Sequence, residues 1–176
     1  MRGVLPARRG TASTVRVMDV SEFEPTRRFE EASYQGALKS WTFVDLSGKK
    51  PLFTSPFGDV FFQATDGFWW LDTLEGALTR PWTSADRLQA DLNTTDGQDK
   101  YLLAGLAYSA HASGLVPGPD QIYDFTVAPV LGGQLDVANI QVRDFVVAVN
   151  IAGQLHSQVR NLPPGTPITG ITISED

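Results

Sequence analysis

The stretch that most constrains this chain runs from Gly58 to Asp72, GDVFFQATDGFWWLD. Two aromatic-rich runs flank Thr65-Asp66-Gly67. Asp-Gly is a favoured hairpin turn, because Gly tolerates positive φ and Asp bonds its own backbone. The pattern predicts strands at about 58–64 and 68–72. Thr73-Leu74-Glu75-Gly76 reads as a second turn, leading to a short strand over Ala77–Arg80. Consecutive strands joined by tight turns make an antiparallel meander, which needs no long crossover. Trp69 and Trp70 are adjacent and must point to opposite faces of the sheet, one toward the core and one toward a surface where a partner could meet it.

Around this meander the chain reads as helix and loop. Ser33 is placed to cap a helix over 34–43 that carries Ala37, Leu38 and Trp41 on one side. Ser47–Pro51 reads as a loop. Thr83 is placed to cap a helix ending at Leu92. A second helix is expected over 98–113, with Leu102, Leu103, Leu106, Ala107 and Ala110 forming its apolar stripe and Gly114 its C′ residue. A strand is expected over 121–130, a Gly132-Gly133 turn after it, and a buried strand over 140–150 that contains the apolar run Phe145–Val149. A last helix over 152–162 has Leu155, Val159 and Leu162 at helical spacing, and Pro163-Pro164-Gly165 stops it. The final ITGITISED reads as a short strand or a frayed tail. The expected fold is a single α+β domain, an antiparallel sheet with helices packed on one side.

The chain has 176 residues, enough for one domain with a real core. It has no cysteine, which excludes disulfides and thiolate metal sites. No apolar run is long enough to span a membrane. Residues 1–17 differ from the remainder: they contain Arg2, Arg8, Arg9 and Arg16 and no acid. No apolar segment follows the Arg8-Arg9 pair, so a twin-arginine export signal is not met. Residues 1–17 are expected to be a disordered arm or a start-site extension, with Met18 as the alternative start, and residues 18–176 to be the domain. The formal net charge is −6, and without those four arginines the remainder carries −10. So acidic a surface repels phosphate backbones, which argues against direct nucleic-acid binding, and attracts basic partners.

Chemistry-bearing motifs are sparse. Asp59 and Asp72 close the two ends of the hairpin and could form a carboxylate pair, although solvation at strand ends explains them more simply. Gly132-Gly133 lacks the other residues of a phosphate loop. His111 falls late in a helix, where the dipole favours a cation. His156 and Arg160 are four apart, off the stripe of the last helix, and form either a polar site or a wet face. No spacing of His or acids suggests a metal site, and there is no Gly-x-Ser-x-Gly elbow. No cofactor and no catalytic residue is expected.

Three stretches together carry a resemblance: the hairpin FGDVFFQATDGFWWLDTLEGAL; YDFTVAPVLGG at 123–133; and Asn139–Thr166, with NIQVRDF and GQLHSQVRNLPPGT. In their order and spacing they resemble the C-terminal domain of type VI secretion DNase-immunity proteins, a family whose members often carry a GAD-like domain upstream; none is expected before the hairpin, where too few residues stand to hold one. The resemblance runs from about Ala37 to Ile168. It implies a bacterial, cytoplasmic immunity protein without enzymatic activity, whose partner is a cognate effector toxin, a nuclease with a basic surface. The expected toxin-binding residues are Glu22, Glu24, Glu30, Glu31, Asp59 and Asp72, with Trp69 and Trp70 as aromatic anchors. Two other readings compete with it: a small-molecule hydrolase using His156 or His111 with nearby carboxylates, and an intracellular ligand-binding or adaptor module.

Overall fold

A computed structural model describes residues 23–163, 165–168 and 170–174. The expected arm at 1–17 and Glu22 lie outside the described residues. The hairpin pattern is realised as a four-stranded antiparallel meander in the order β1 (Lys50–Thr54), β2 (Val60–Ala64), β3 (Gly67–Asp72) and β4 (Ala77–Trp82). The β2–β3 register pairs Val60 with Leu71 and Ala64 with Gly67, so Asp66 sits at the tip and Asp59 and Asp72 face each other across the base. β1 includes Lys50 and Pro51, which the sequence places in a loop. It is an edge strand with a register shift between Pro51 and Phe53, the setting in which proline's missing N–H is tolerated.

Alternation along β2 sends Val60 and Phe62 to one face and Phe61 to the other. Val60, Phe62 and Leu71 pack against Tyr34 and Ala37 of α1 (Glu31–Leu38), against Trp41, and against Phe145, Ala148 and Val149 of α5 (Phe145–Val159). On the other face, Phe61 and Trp82 meet Leu88 of α2 (Ala85–Leu92) and Tyr101 and Leu102 of α3 (Thr95–Leu102). The α+β class and the meander are as expected, and the helical cover reaches both faces of the sheet. A second, two-stranded antiparallel sheet, β5 (Gln121–Phe125) with β6 (Ile140–Asp144), packs Tyr123, Phe125 and Ile140 on Ala107 and Ala110 of α4 (Ala104–Ala112).

Three expectations are corrected here. The helix expected over 98–113 is two helices, broken at Leu103, which takes φ 49 and ends α3 while opening α4. A left-handed leucine costs about 1–2 kcal/mol; Asp99 supports the break by accepting the Gly105 N–H at 2.9 Å. Gly114 does close α4, with Leu115 N donating to Ala110 O. The strand expected over 121–130 ends at Phe125, and Pro129–Leu131 forms a 3-10 turn. The strand expected over 140–150 ends at Asp144, and its apolar run FVVAV is the first turn and a half of α5. A short apolar run carries no period that separates a buried strand from a buried helix. The deciding residue is Asp144, whose carboxylate caps the helix by accepting the Val147 N–H at 3.1 Å.

α5 crosses α1 closely enough to need Gly153, where an added Cβ would overlap Ser40 Oγ and lie 2.8 Å from Trp41 Nε1. Trp41 Nε1 donates to Val149 O at 2.9 Å and Ser40 Oγ to Asn150 O at 2.7 Å, tying the end of α1 to α5. Among the described residues of the C-terminal stretch none is in a strand, and two are tied to α5. Gln158 pairs its side-chain amide with the backbone of Thr172, and Gln154 does the same with Ser174.

Candidate functional site

The residues singled out in the sequence separate into a surface group and a buried group. Glu24, Glu30 and Glu31 are exposed. Glu30 is the N-cap of α1 and Glu31 lies in its first turn, where acids also complement the helix dipole. Trp69 and Trp70 do point to opposite faces, and both are half-buried. Trp69 donates through Nε1 to Asp66 at 2.9 Å and lies under Lys49 Nζ at 4.2 Å. Trp70 packs edge-on to Tyr101, and its Nε1 is buried without a partner. Arg160 is exposed and stacks its guanidinium on Phe43 at 4.6 Å.

Asp59 is not a strand-end residue in water. It is 3% exposed and ties the base of the hairpin together. Its Oδ1 accepts from Thr73 N at 2.8 Å and Thr73 Oγ1 at 2.7 Å; its Oδ2 accepts from Ser55 Oγ at 2.8 Å. Burial pushes its pKa up to about 6, with the charge of Asp72 adding to the rise and the three hydrogen bonds opposing it. Asp72 is itself raised, chiefly by burial, and accepts the Leu74 and Glu75 N–H groups at 2.9 and 3.0 Å, closing the following turn. The two carboxylates are brought together, but each is occupied in shaping backbone.

His156 does not lie on a wet face. It is 5% exposed, and its Nε2 lies 2.9 Å from Thr73 O. A carbonyl can only accept, so Nε2 carries a proton. The ring sits 5.7 Å from Trp41 and rests against Gly76, where an added Cβ would lie 2.5 Å from Nδ1. Gly76 has φ +68, so this turn requires glycine both for its backbone and for the imidazole beside it. Asp59, Thr73 and His156 therefore form a continuous buried chain from the hairpin base to α5. His156 and Arg160 are not brought into one polar site, and His156 meets a carbonyl rather than a carboxylate or a hydroxyl nucleophile. His111 packs its ring edge-to-face on Phe23 at 5.8 Å.

Next to this chain lies a cavity of about 350 Å³ between α5, the β5–β6 sheet and the 126–131 segment. Its lining is mainly apolar, including Phe125, Val130, Ile151 and Leu155, and it takes in Thr73, His156, Asp124 and Arg143. Arg143 Nε lies 2.8 Å from Asp124 Oδ2 in an ion pair, and both side chains are only partly exposed. Gln141 Nε2 donates to the same oxygen at 3.3 Å. Burial raises the Asp124 pKa, and Arg143 opposes that rise. Neither Asp124 nor Arg143 stands out in the sequence. The available signal is polar residues alternating with apolar ones in each strand, YDF and IQVR, and it becomes informative only once the register sets Asp124 opposite Gln141 and diagonal to Arg143.

Among the described residues, no group of three or more His, Cys, Asp or Glu side chains is arranged to hold a metal ion. Among them, too, no helix is long and apolar enough to cross a membrane. No curated protein matches the chain. Among solved structures, the crystal structure of Atu4351 from Agrobacterium tumefaciens is similar at 20% identity and a TM-score of 0.45, over 74% of this chain and 66% of that one, just under two thirds of its length. Residues 83–156 match the family model of "T6SS immunity protein Tdi1, C-terminal". This segment runs from the approach to α2 through most of α5 and supplies much of the cavity wall, and its similarity is to the type VI secretion immunity family.

Proposed function

We propose that this protein is a bacterial immunity protein, acting in the cytoplasm of the cell that makes it, which binds a cognate type VI effector toxin and neutralises it by occlusion rather than by chemistry. The observation that carries this reading is the similarity of residues 83–156 to the type VI immunity family. The net charge of −6 supports a basic partner, and a nuclease with a cationic substrate cleft is the toxin class that such a charge fits. Carboxylates presented to that cleft replace the phosphates of the nucleic acid, and long-range attraction speeds encounter.

The exposed acids are the proposed contacts: Glu24, Glu30 and Glu31, with Glu22 as a further candidate. Asp59 is withdrawn from that set because its carboxylate is enclosed, and Asp72 contributes through the shape of its turn. Trp69, half-buried beside Lys49, is the aromatic group nearest to an anchor.

The test is co-expression with the toxin encoded beside this gene. The expected result is restored growth and a complex that survives size exclusion at low salt and weakens as salt rises. A double variant, Glu30→Lys with Glu31→Lys, should slow association while leaving the fold intact. Unchanged association rates would remove α1 from the interface. Failure of the unaltered protein to bind or protect would remove the immunity reading itself.

A further inference from the structure

The cavity beside α5 has the size and composition of a small-molecule site. At about 350 Å³ it falls in the range of ligand pockets, and its walls are apolar with a few polar groups at defined places. Apart from His156, Asp124 and Arg143 are the titratable side chains in its lining. His156 is already committed, with Nε2 on Thr73 O and Nδ1 against Gly76. Polar recognition therefore falls to the Asp124–Arg143 pair.

That pair is asymmetric. Asp124 Oδ2 accepts from Gln141 Nε2 and lies 2.8 Å from Arg143 Nε, so the carboxylate is held in place beside the guanidinium. Arg143 meets Asp124 through its Nε, and among the described residues its two Nη groups make no hydrogen bond to the protein. An arginine fork oriented by a carboxylate at one edge presents its remaining N–H groups as a ready receptor for a planar anion. A dianionic phosphate would meet one cation with a carboxylate beside it; a monocarboxylate needs only the one guanidinium.

We propose that this cavity binds an apolar monocarboxylate, such as a medium-chain acyl or aryl acid, with its chain along Ile151, Ala152 and Leu155 and its head on Arg143. This site is independent of the immunity reading, and its test contains no toxin.

The experiment is titration calorimetry of the purified full chain with sodium decanoate, with 1-decanol as the uncharged control. The expected result is saturable 1:1 binding of decanoate. The charge-neutral double variant Asp124→Asn with Arg143→Gln should weaken decanoate by about tenfold or more and leave 1-decanol within about twofold, since a hydrogen bond to a charged group contributes about 1.5–3 kcal/mol. Ala152→Leu, which fills the cavity, should abolish both. Backbone amide shifts on adding decanoate to the unaltered protein should concentrate at residues 126–131 and 148–156, a readout that needs no variant to fold. Absence of saturable binding, equal decanoate affinity in the double variant, or shifts centred elsewhere would each overturn the proposal.

Discussion

One hairpin carries aspartates at its tip and at its base, and the two ends treat them in opposite ways. At the tip, Asp66 lies in water, accepts Trp69 Nε1 and pairs with Arg80 at 3.2 Å. Those donors, with the Trp69 hydrogen bond foremost, hold its pKa below the ordinary carboxylate range. At the base, Asp59 accepts three hydrogen bonds at comparable distances, yet its pKa rises to about 6. Hydrogen bonds favour the charged form at both ends; loss of solvation, outweighed at the tip, decides the balance at the base. The tip is a turn that tolerates change. The base is where the sheet, the following turn and α5 are fastened to one another.

The largest expected effect is the pH dependence of Asp59. A folded pKa of about 6 against an ordinary 3.8 means that the folded state holds the proton more tightly. The carboxyl therefore favours folding below pH 4 and loses that advantage as pH rises through 6, by roughly 3 kcal/mol over the full window. Urea unfolding from pH 4 to pH 7 should show this as a slope that Asp59→Asn removes; identical slopes in the two proteins would place Asp59 in contact with water. Next, His156→Phe keeps the ring volume but leaves Thr73 O without its donor, and should cost about 1–3 kcal/mol by the same assay. An unchanged midpoint would show that α5 is not fastened through this bond. Gly76→Ala should then cost about 1–2 kcal/mol for the left-handed backbone, with further loss if the imidazole must shift. Smallest of all, Arg80→Ala should leave the unfolding midpoint within experimental scatter, since exposed ion pairs contribute little. A clear loss there would erase the distinction between the two ends.

The same contrast explains what was legible in the sequence. The hairpin could be read because its signals are local: Asp-Gly at the tip and aromatic residues on either side. Gly114 and the stripe of Leu102, Ala107 and Ala110 were local in the same sense, although the break at Leu103 was not. β1 is hidden because Lys50-Pro51 reads as loop, and a proline reveals an edge strand only once the neighbouring strands are placed. The start of α5 is hidden because Phe145–Val149 is apolar on every side. From that late start, His156 fell off the expected stripe of Leu155, Val159 and Leu162. In the fold α5 buries Ala148, Val149, Gly153, Leu155 and His156 together, because α1 and the Thr73 turn both press on it. Asp124 and Arg143 could not be paired without the β5–β6 register. The candidate surface acids leave no pattern at all, since an exposed glutamate obeys no periodicity.

The buried chain of Asp59, Thr73 and His156 thus serves the scaffold, and the contacts proposed for the toxin are exposed acids. The most direct measurement is growth of cells that express the neighbouring toxin together with this chain, alone and with its buried and surface residues altered. The account predicts protection by the unaltered protein, protection retained in Asp59→Asn wherever that variant is folded, and protection weakened by Glu30→Lys with Glu31→Lys. Full protection by the surface variant with loss of protection in folded Asp59→Asn would contradict it.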